Sequence, residues 1–301
     1  MKKRRARAAG IGDRRRKGWE SLETYSPRQA YLLLSPILLV FILFLIIPIL
    51  RLLPLSTMDP DFTLKHYIHL LETPLYRHVL FRTFRVSLLV TFFALMTGYP
   101  VAYLISQLRP PLSILLLGLV LFPMLTNWLV QVYAWVVLLQ THGVVNELLM
   151  RMGIIGQPLQ LMLNEPAAVM VMVTIQLPLM ILPVYTVLKG IDPNLVAAAK
   201  SLGASDLRAF LRVTLPLSLP GVATGVLFIL ILSLGYYVTP AIVGGAKVML
   251  VGKLIEQQMT KLLAWPFASA LAMVLLAMTF ALVAVVRRYL LEKTGGELVV
   301  M

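Results

Sequence analysis

Six runs of about twenty mostly apolar residues constrain this chain more than any other feature. They cover roughly residues 31–53, 86–105, 112–139, 167–188, 219–243 and 267–286. A helical run of that length matches the hydrocarbon thickness of a bilayer. Lipid offers backbone groups no water, so each run must close its own hydrogen bonds as a helix. The sequence therefore predicts an all-α, polytopic membrane bundle with six transmembrane helices. Composition agrees: 59% of residues are hydrophobic and 13% charged, against about 25% charged in a soluble domain. There is no cysteine, so a disulfide or thiolate metal site is excluded.

The net charge of +14 is uneven. Ten of the 27 Lys and Arg precede the first apolar run: Lys2, Lys3, Arg4, Arg5, Arg7, Arg14, Arg15, Arg16, Lys17 and Arg28. We read residues 1–30 as a basic cytoplasmic tail, not a nucleic-acid arm. With both termini on the inner side, that side carries 18 of the 27, in line with the positive-inside bias. The predicted layout is a tail over 1–30, a membrane domain over 31–290 and a second cytoplasmic tail over 291–301. The outer loops are then 54–85, 140–166 and 244–266. Each has room for a short amphipathic helix; in the first, Phe62, Leu64, Tyr67, Ile68 and Leu71 recur at near-helical spacing.

No Asp, Glu, Lys, Arg or His falls well inside the six runs. Such groups usually mark proton or ion pathways, so their scarcity argues against a proton-coupled pump. Sodium coupling through carbonyls and hydroxyls stays open, which leaves a self-sufficient secondary transporter or channel as the alternative reading. The chain has no GxxxxGK[ST] phosphate loop and no HExxH pair. No catalytic group, metal site or bound cofactor is expected. Asn127, Gln131, Tyr133, Trp135, Gln176, Tyr236, Tyr237 and Thr239 are polar or aromatic at depth and are candidates to line a translocation path. Asn127 and Gln131, four apart, share a helix face. Gly221 and Gly225 have the spacing of a close-packing face.

Between the fourth and fifth runs lies Ile191 to Gly221, IDPNLVAAAKSLGASDLRAFLRVTLPLSLPG. Asp192 is placed to cap a helix opened by Pro193. Ala197, Ala198 and Ala199 favour that helix, and Gly203 ends it as a left-handed residue. Ser205 caps a second helix, which Pro216 is expected to stop. Phe210 offers an aromatic anchor for a partner and Arg212 a basic face. The predicted result is a helix–turn–helix with a smooth surface.

This segment closely resembles the "EAA" loop of membrane subunits in binding-protein-dependent ABC importers. Ala198, Ala199, Leu202, Gly203, Leu215, Pro216, Pro220 and Gly221 match the pattern; the family Glu falls on Ala197. Phe62-Thr63-Leu64, Gly98-Tyr99-Pro100-Val101-Ala102-Tyr103, Thr126-Asn127, Tyr133-Ala134-Trp135 and Val238-Thr239-Pro240-Ala241 resemble the spermidine/putrescine-type branch. The resemblance implies a type I importer permease in the bacterial inner membrane, forming half a pore for a small polar or cationic solute. Implied partners are a second permease, two copies of an ATPase that carries the ATP and Mg, and an extracytoplasmic binding protein. The ATPase would dock on the loop at 190–218, through Asp192, Pro193, Ala197, Ala198, Ala199, Leu202, Gly203, Phe210, Arg212 and Pro216.

Overall fold

A computed structural model describes residues 27–58 and 61–291. The terminal tails expected over 1–30 and 291–301 lie outside the described residues, apart from helical positions 27–30 and 291. The chain divides into two compact units after Pro54. In the first, α1 (Pro27–Phe41) passes through a π-helical turn, Ile42–Ile46, into α2 (Ile47–Thr57), which crosses the division. The turn precedes Pro48, and the Ile47 N–H bonds the Ile42 carbonyl instead of a carbonyl four residues back. Proline has no N–H and its ring clashes with the carbonyl at i−4. A wide turn just before it lets the helix continue.

The second unit holds α3 (Lys65–Glu72), α4 (Pro74–Gln107), α5 (Pro110–Leu121), α6 (Trp128–Leu139), α7 (Val144–Arg151), α8 (Glu165–Gly190), α9 (Pro193–Ser201), α10 (Asp206–Ala209), α11 (Leu215–Gly235), α12 (Val251–Thr260) and α13 (Trp265–Leu291). Among the described residues six helical stretches are long and apolar enough to cross a membrane: Tyr31–Thr57, Pro74–Gln107, Trp128–Arg151, Glu165–Gly190, Asp206–Gly235 and Trp265–Arg288; the third runs from α6 through a non-helical turn at 140–143 into α7. Each loop expected to hold an amphipathic helix has one, in α3, α7 and α12.

Three boundaries differ from the sequence expectation. The second span begins at Pro74, twelve residues before its apolar run, because Pro at the first helical position is preorganised for a helix. The third run is not one helix. It breaks into α5, a 3-10 turn at Phe122–Leu125 and α6, with Thr126 and Asn127 extended. The helix of the fifth run ends at Gly235, before the run does, and starts far earlier than expected. Pro216 does not stop the preceding helix: α10 continues through a π turn at Phe210–Thr214 into α11. The Leu215 N–H bonds the Phe210 carbonyl, and Pro216 follows in the same register that Pro48 has after its own π turn.

The core is formed by α4, α8 and α11. Val86, Val90 and Ala94 of α4, Met172, Met180, Ile181 and Val184 of α8, and Val222 and Ile229 of α11 pack into one buried cluster. Gly221 and Gly225 set the approach of α11 to α8. A Cβ on Gly225 would stand 2.6 Å from the Met180 sulfur, and one on Gly221 2.7 Å from the Pro183 carbonyl. The small-residue face is therefore a packing face, as its spacing implied.

Charged side chains clasp one end of the bundle. Glu165, in the first turn of α8, pairs with Arg85 and lies 3.9 Å from Arg82 Nε. Arg82 donates to the Lys247 carbonyl at 2.6 Å. The Thr83 hydroxyl accepts from the Val251 N–H at 2.9 Å and satisfies a donor of the first turn of α12. At the opposite end lies the 191–214 segment.

Candidate functional site

The 191–214 segment folds from its own sequence signals. The Asp192 carboxylate accepts from the Asn194 N–H at 2.9 Å, and Pro193 opens α9. Gly203, at φ +87°, closes it. The Ala204 N–H bonds the Ala199 carbonyl and the Gly203 N–H bonds the Lys200 carbonyl, the paired bonds of a Schellman cap. Ser205 Oγ then caps α10 by accepting from the Arg208 N–H. Lys200 Nζ and Asp206 Oδ1, 2.5 Å apart, tie the two helices together. That hydrogen bond, with the Asp206 charge, holds Lys200 above the ordinary lysine value. The smooth face is real: Ala197 and Ala198 are exposed. Leu202 is 89% exposed and is the outermost large apolar side chain of the segment.

Phe210 does something other than protrude. It is half-buried and meets the rings of Tyr103 and Tyr99 edge-on, with centroids 5.1 and 6.2 Å away. Such a pair contributes about 0.5–1.5 kcal/mol beyond area burial. Tyr99 is further fixed by the Ser218 hydroxyl at 2.9 Å. Phe210 therefore anchors the segment to α4 within the chain, and Leu202 is the large apolar side chain that the segment leaves most exposed. Arg212 is exposed, and Pro216 sits inside the continuous helix.

Beside these residues Ala199, Leu202, Gly203, Ala204, Arg208, Arg212 and Val213 line a cleft of about 290 Å³. Arg208 shares the basic side of the second helix with Arg212, and it joins the expected docking residues at this cleft. Their i,i+4 spacing was the available signal.

The eight path candidates separate. Asn127 Oδ1 accepts from the Leu129 N–H at 2.9 Å and caps α6. Gln131 Nε2 donates to the Pro123 carbonyl at 2.6 Å and the Thr126 carbonyl at 3.3 Å. Their shared neighbour is thus the helix break, whose freed backbone groups they satisfy. Gln176, 2% exposed, exchanges hydrogen bonds with Ser233 between α8 and α11. Thr239 is 0% exposed. These two side chains are buried among helices in this structure. Trp135 packs against the Val132, Val171 and Val243 cluster, while Tyr133 is exposed.

Tyr236 and Tyr237 do border open space. With Trp128, Gly235 and Val238 they line a cavity of about 300 Å³. It forms where two helices break, at the start of α6 and the end of α11. Trp128 was missed from sequence; its position directly after the capping Asn127 was the signal. One helical path of 30 residues, Asp206–Gly235, joins the 191–214 segment to this cavity.

Residues 91–294 match the family described as "Binding-protein-dependent transport system inner membrane component". The chain belongs to that family. It is 36% identical over 239 residues to the Spermidine/putrescine transport system permease protein PotB of Haemophilus influenzae, covering 77% of this chain and 83% of that protein. The PotB of Escherichia coli K12 is 34% identical over 242 residues, covering 78% and 88%. Among solved structures, a bacterial ABC transporter involved in import of the acidic polysaccharide alginate shares the fold. Its TM-score is 0.69 at 17% identity, with 91% of this chain and 98% of that one covered. The chain is thus a membrane-spanning permease subunit of an ABC importer, and the self-sufficient transporter reading falls away.

Proposed function

We propose that this permease moves a small organic cation of the polyamine class, and that one helix carries the driving motion from the ATPase to the solute. The observation that carries this reading is the continuity of Asp206–Gly235. At about 1.5 Å per residue it reaches some 45 Å, from the Schellman-capped segment to the aromatic cavity. The segment at 190–218 faces the cytoplasm and docks on a separate ATPase through the Ala197, Ala198, Leu202 and Gly203 surface. Two ATPase copies, a second permease and an extracytoplasmic binding protein complete the importer, and both termini are cytoplasmic. ATP and Mg act in the ATPase, and this chain contributes binding and motion but no chemistry.

Closure of the ATPase pair pushes the segment. Phe210, seated on Tyr99 and Tyr103, passes the displacement to α4, while the continuous helix passes it to Gly235 and Tyr236. At the cavity, the rings of Trp128, Tyr236 and Tyr237 suit an ammonium-bearing solute, since cations are drawn to aromatic faces. The carbonyl end of α11 favours positive charge as well. The names of the relatives, spermidine/putrescine permeases, support the same solute class.

The test is uptake of labelled putrescine and spermidine by the reconstituted importer. Trp128→Ala with Tyr237→Ala should cut uptake at least tenfold with the ATPase still bound. Unchanged uptake by the double variant would exclude the cavity from the path. Failure of the wild-type importer to take up any polyamine would exclude the solute class.

A further inference from the structure

The cleft between α9 and the π turn carries positive charge that no carboxylate among the described residues neutralises. Arg208 and Arg212, both exposed and four apart, line it together with the small residues Ala199, Gly203 and Ala204. Of the two carboxylates in the 191–214 segment, Asp206 pairs with Lys200 and Asp192 caps α9. Neither guanidinium meets a carboxylate among the described residues. The cleft's volume of about 290 Å³ holds a side chain and not a folded element. Apart from the two arginines, Leu202 and Val213, its wall is made of the small residues Ala199, Gly203 and Ala204, so a partner group can come close to the backbone there.

The position where the resembled loop carries its acid is Ala197 here, so this chain offers its docking partner no negative charge at that point. We propose that the polarity of the contact is reversed: a carboxylate side chain of the ATPase enters the cleft and is held by Arg208 and Arg212. Two guanidinium forks on one helix face suit a carboxylate, which accepts parallel N–H bonds. Gly203 and Ala204 shape the wall, and Leu202 packs beside the entering side chain and excludes water from the pair. The proposal rests on the reading of this segment as the ATPase dock, and it adds the chemistry of the partner group.

An exposed arginine pair beside a membrane could instead hold a lipid phosphate, and the experiment separates the two. Full importer complexes are assembled in nanodiscs of neutral phosphatidylcholine, and in parallel with added anionic phosphatidylglycerol. ATPase affinity is measured for the wild type, for Arg208→Glu with Arg212→Glu, for Arg208→Lys with Arg212→Lys, and for Gly203→Trp. Correct folding of each permease is read by its elution with the second permease. In neutral nanodiscs the double Glu variant should bind the ATPase about 30-fold more weakly or worse. The Lys variant should recover most of that loss, and the wild-type salt dependence should flatten in the Glu variant.

Wild-type affinity in the double Glu variant overturns the proposal; if Gly203→Trp still fails to bind, the docking reading survives it. Wild-type affinity in both variants sinks the docking reading too. A loss seen only with phosphatidylglycerol assigns the cleft to lipid and overturns the ATPase carboxylate.

Discussion

The two ends of the bundle are held in opposite ways. At one end Arg82, Arg85, Glu165, Thr83 and the Lys247 carbonyl cross-link α4, α8 and the strand-free loop before α12. At the other end, the 191–214 segment satisfies its own backbone with Asp192, Gly203 and Ser205. It meets the core through the Phe210 rings and through the helix that continues from it. The clasped end shares its bonds among three elements, so moving one costs several bonds. The self-capped end can shift as a unit with its internal bonds intact. The proposed function, with motion received at one end and solute at the other, needs that asymmetry.

The asymmetry is broken most severely at Gly203. Its φ of +87° costs a side-chain-bearing residue about 1–2 kcal/mol, and a bulky one also spoils the smooth face. Gly203→Trp should abolish ATP-driven uptake, by at least about 100-fold, and release the ATPase on co-purification. Phe210→Ala comes next. It should leave the ATPase bound but reduce uptake per ATP hydrolysed about tenfold, because the segment then moves without carrying α4. Equal losses of hydrolysis and uptake would mean that Phe210 serves stability alone.

Much of this was legible in the sequence. The caps at Asp192, Gly203 and Ser205 depend on neighbours within a few residues, so spacing alone located them. The six spans followed from length and hydropathy. The π turn ahead of Pro216 was not legible, because proline reads locally as a stop while tertiary packing of α11 on α8 favours continuing. The burial of Gln176 and Thr239 was hidden for a related reason. Burial of a polar group between helices and its exposure to a pore leave the same sequence signal, and only packing separates them. Phe210 was visible as an aromatic anchor, but whether it faced outward or toward Tyr103 depended on α4, over a hundred residues away.

At the clasped end, Arg85→Ala should be milder. The pair with Glu165 is half-exposed, and such pairs contribute about 0–1 kcal/mol. The expected result is a thermal shift of a few degrees at most for the assembled complex, with uptake within about threefold of wild type. A larger functional loss than that of Phe210→Ala would reverse the assignment of which end moves.

The smallest effect belongs to Lys200. Its value is raised by its hydrogen bond to Asp206, so the contact persists at neutral pH and is lost as pH rises through the elevated lysine value. Between about pH 6 and 9 the Lys200 contribution should be flat. Lys200→Met should therefore change the level of coupling slightly and not the shape of its pH profile over that range. A new pH dependence in this variant would show that the pair does more than fasten α9 to α10.

The central claim is that residues 206–235 move as one body. The natural absence of cysteine allows spin labels at Leu207→Cys and Leu232→Cys, both exposed positions, with no background thiol. Their separation should be the same, about 37 Å along the helix, in the nucleotide-free and ATP-trapped importer. The distance from Leu207 to a third label at Leu262→Cys should change between those states. A change in the Leu207–Leu232 distance itself would place a hinge at the π turn and contradict the rigid lever.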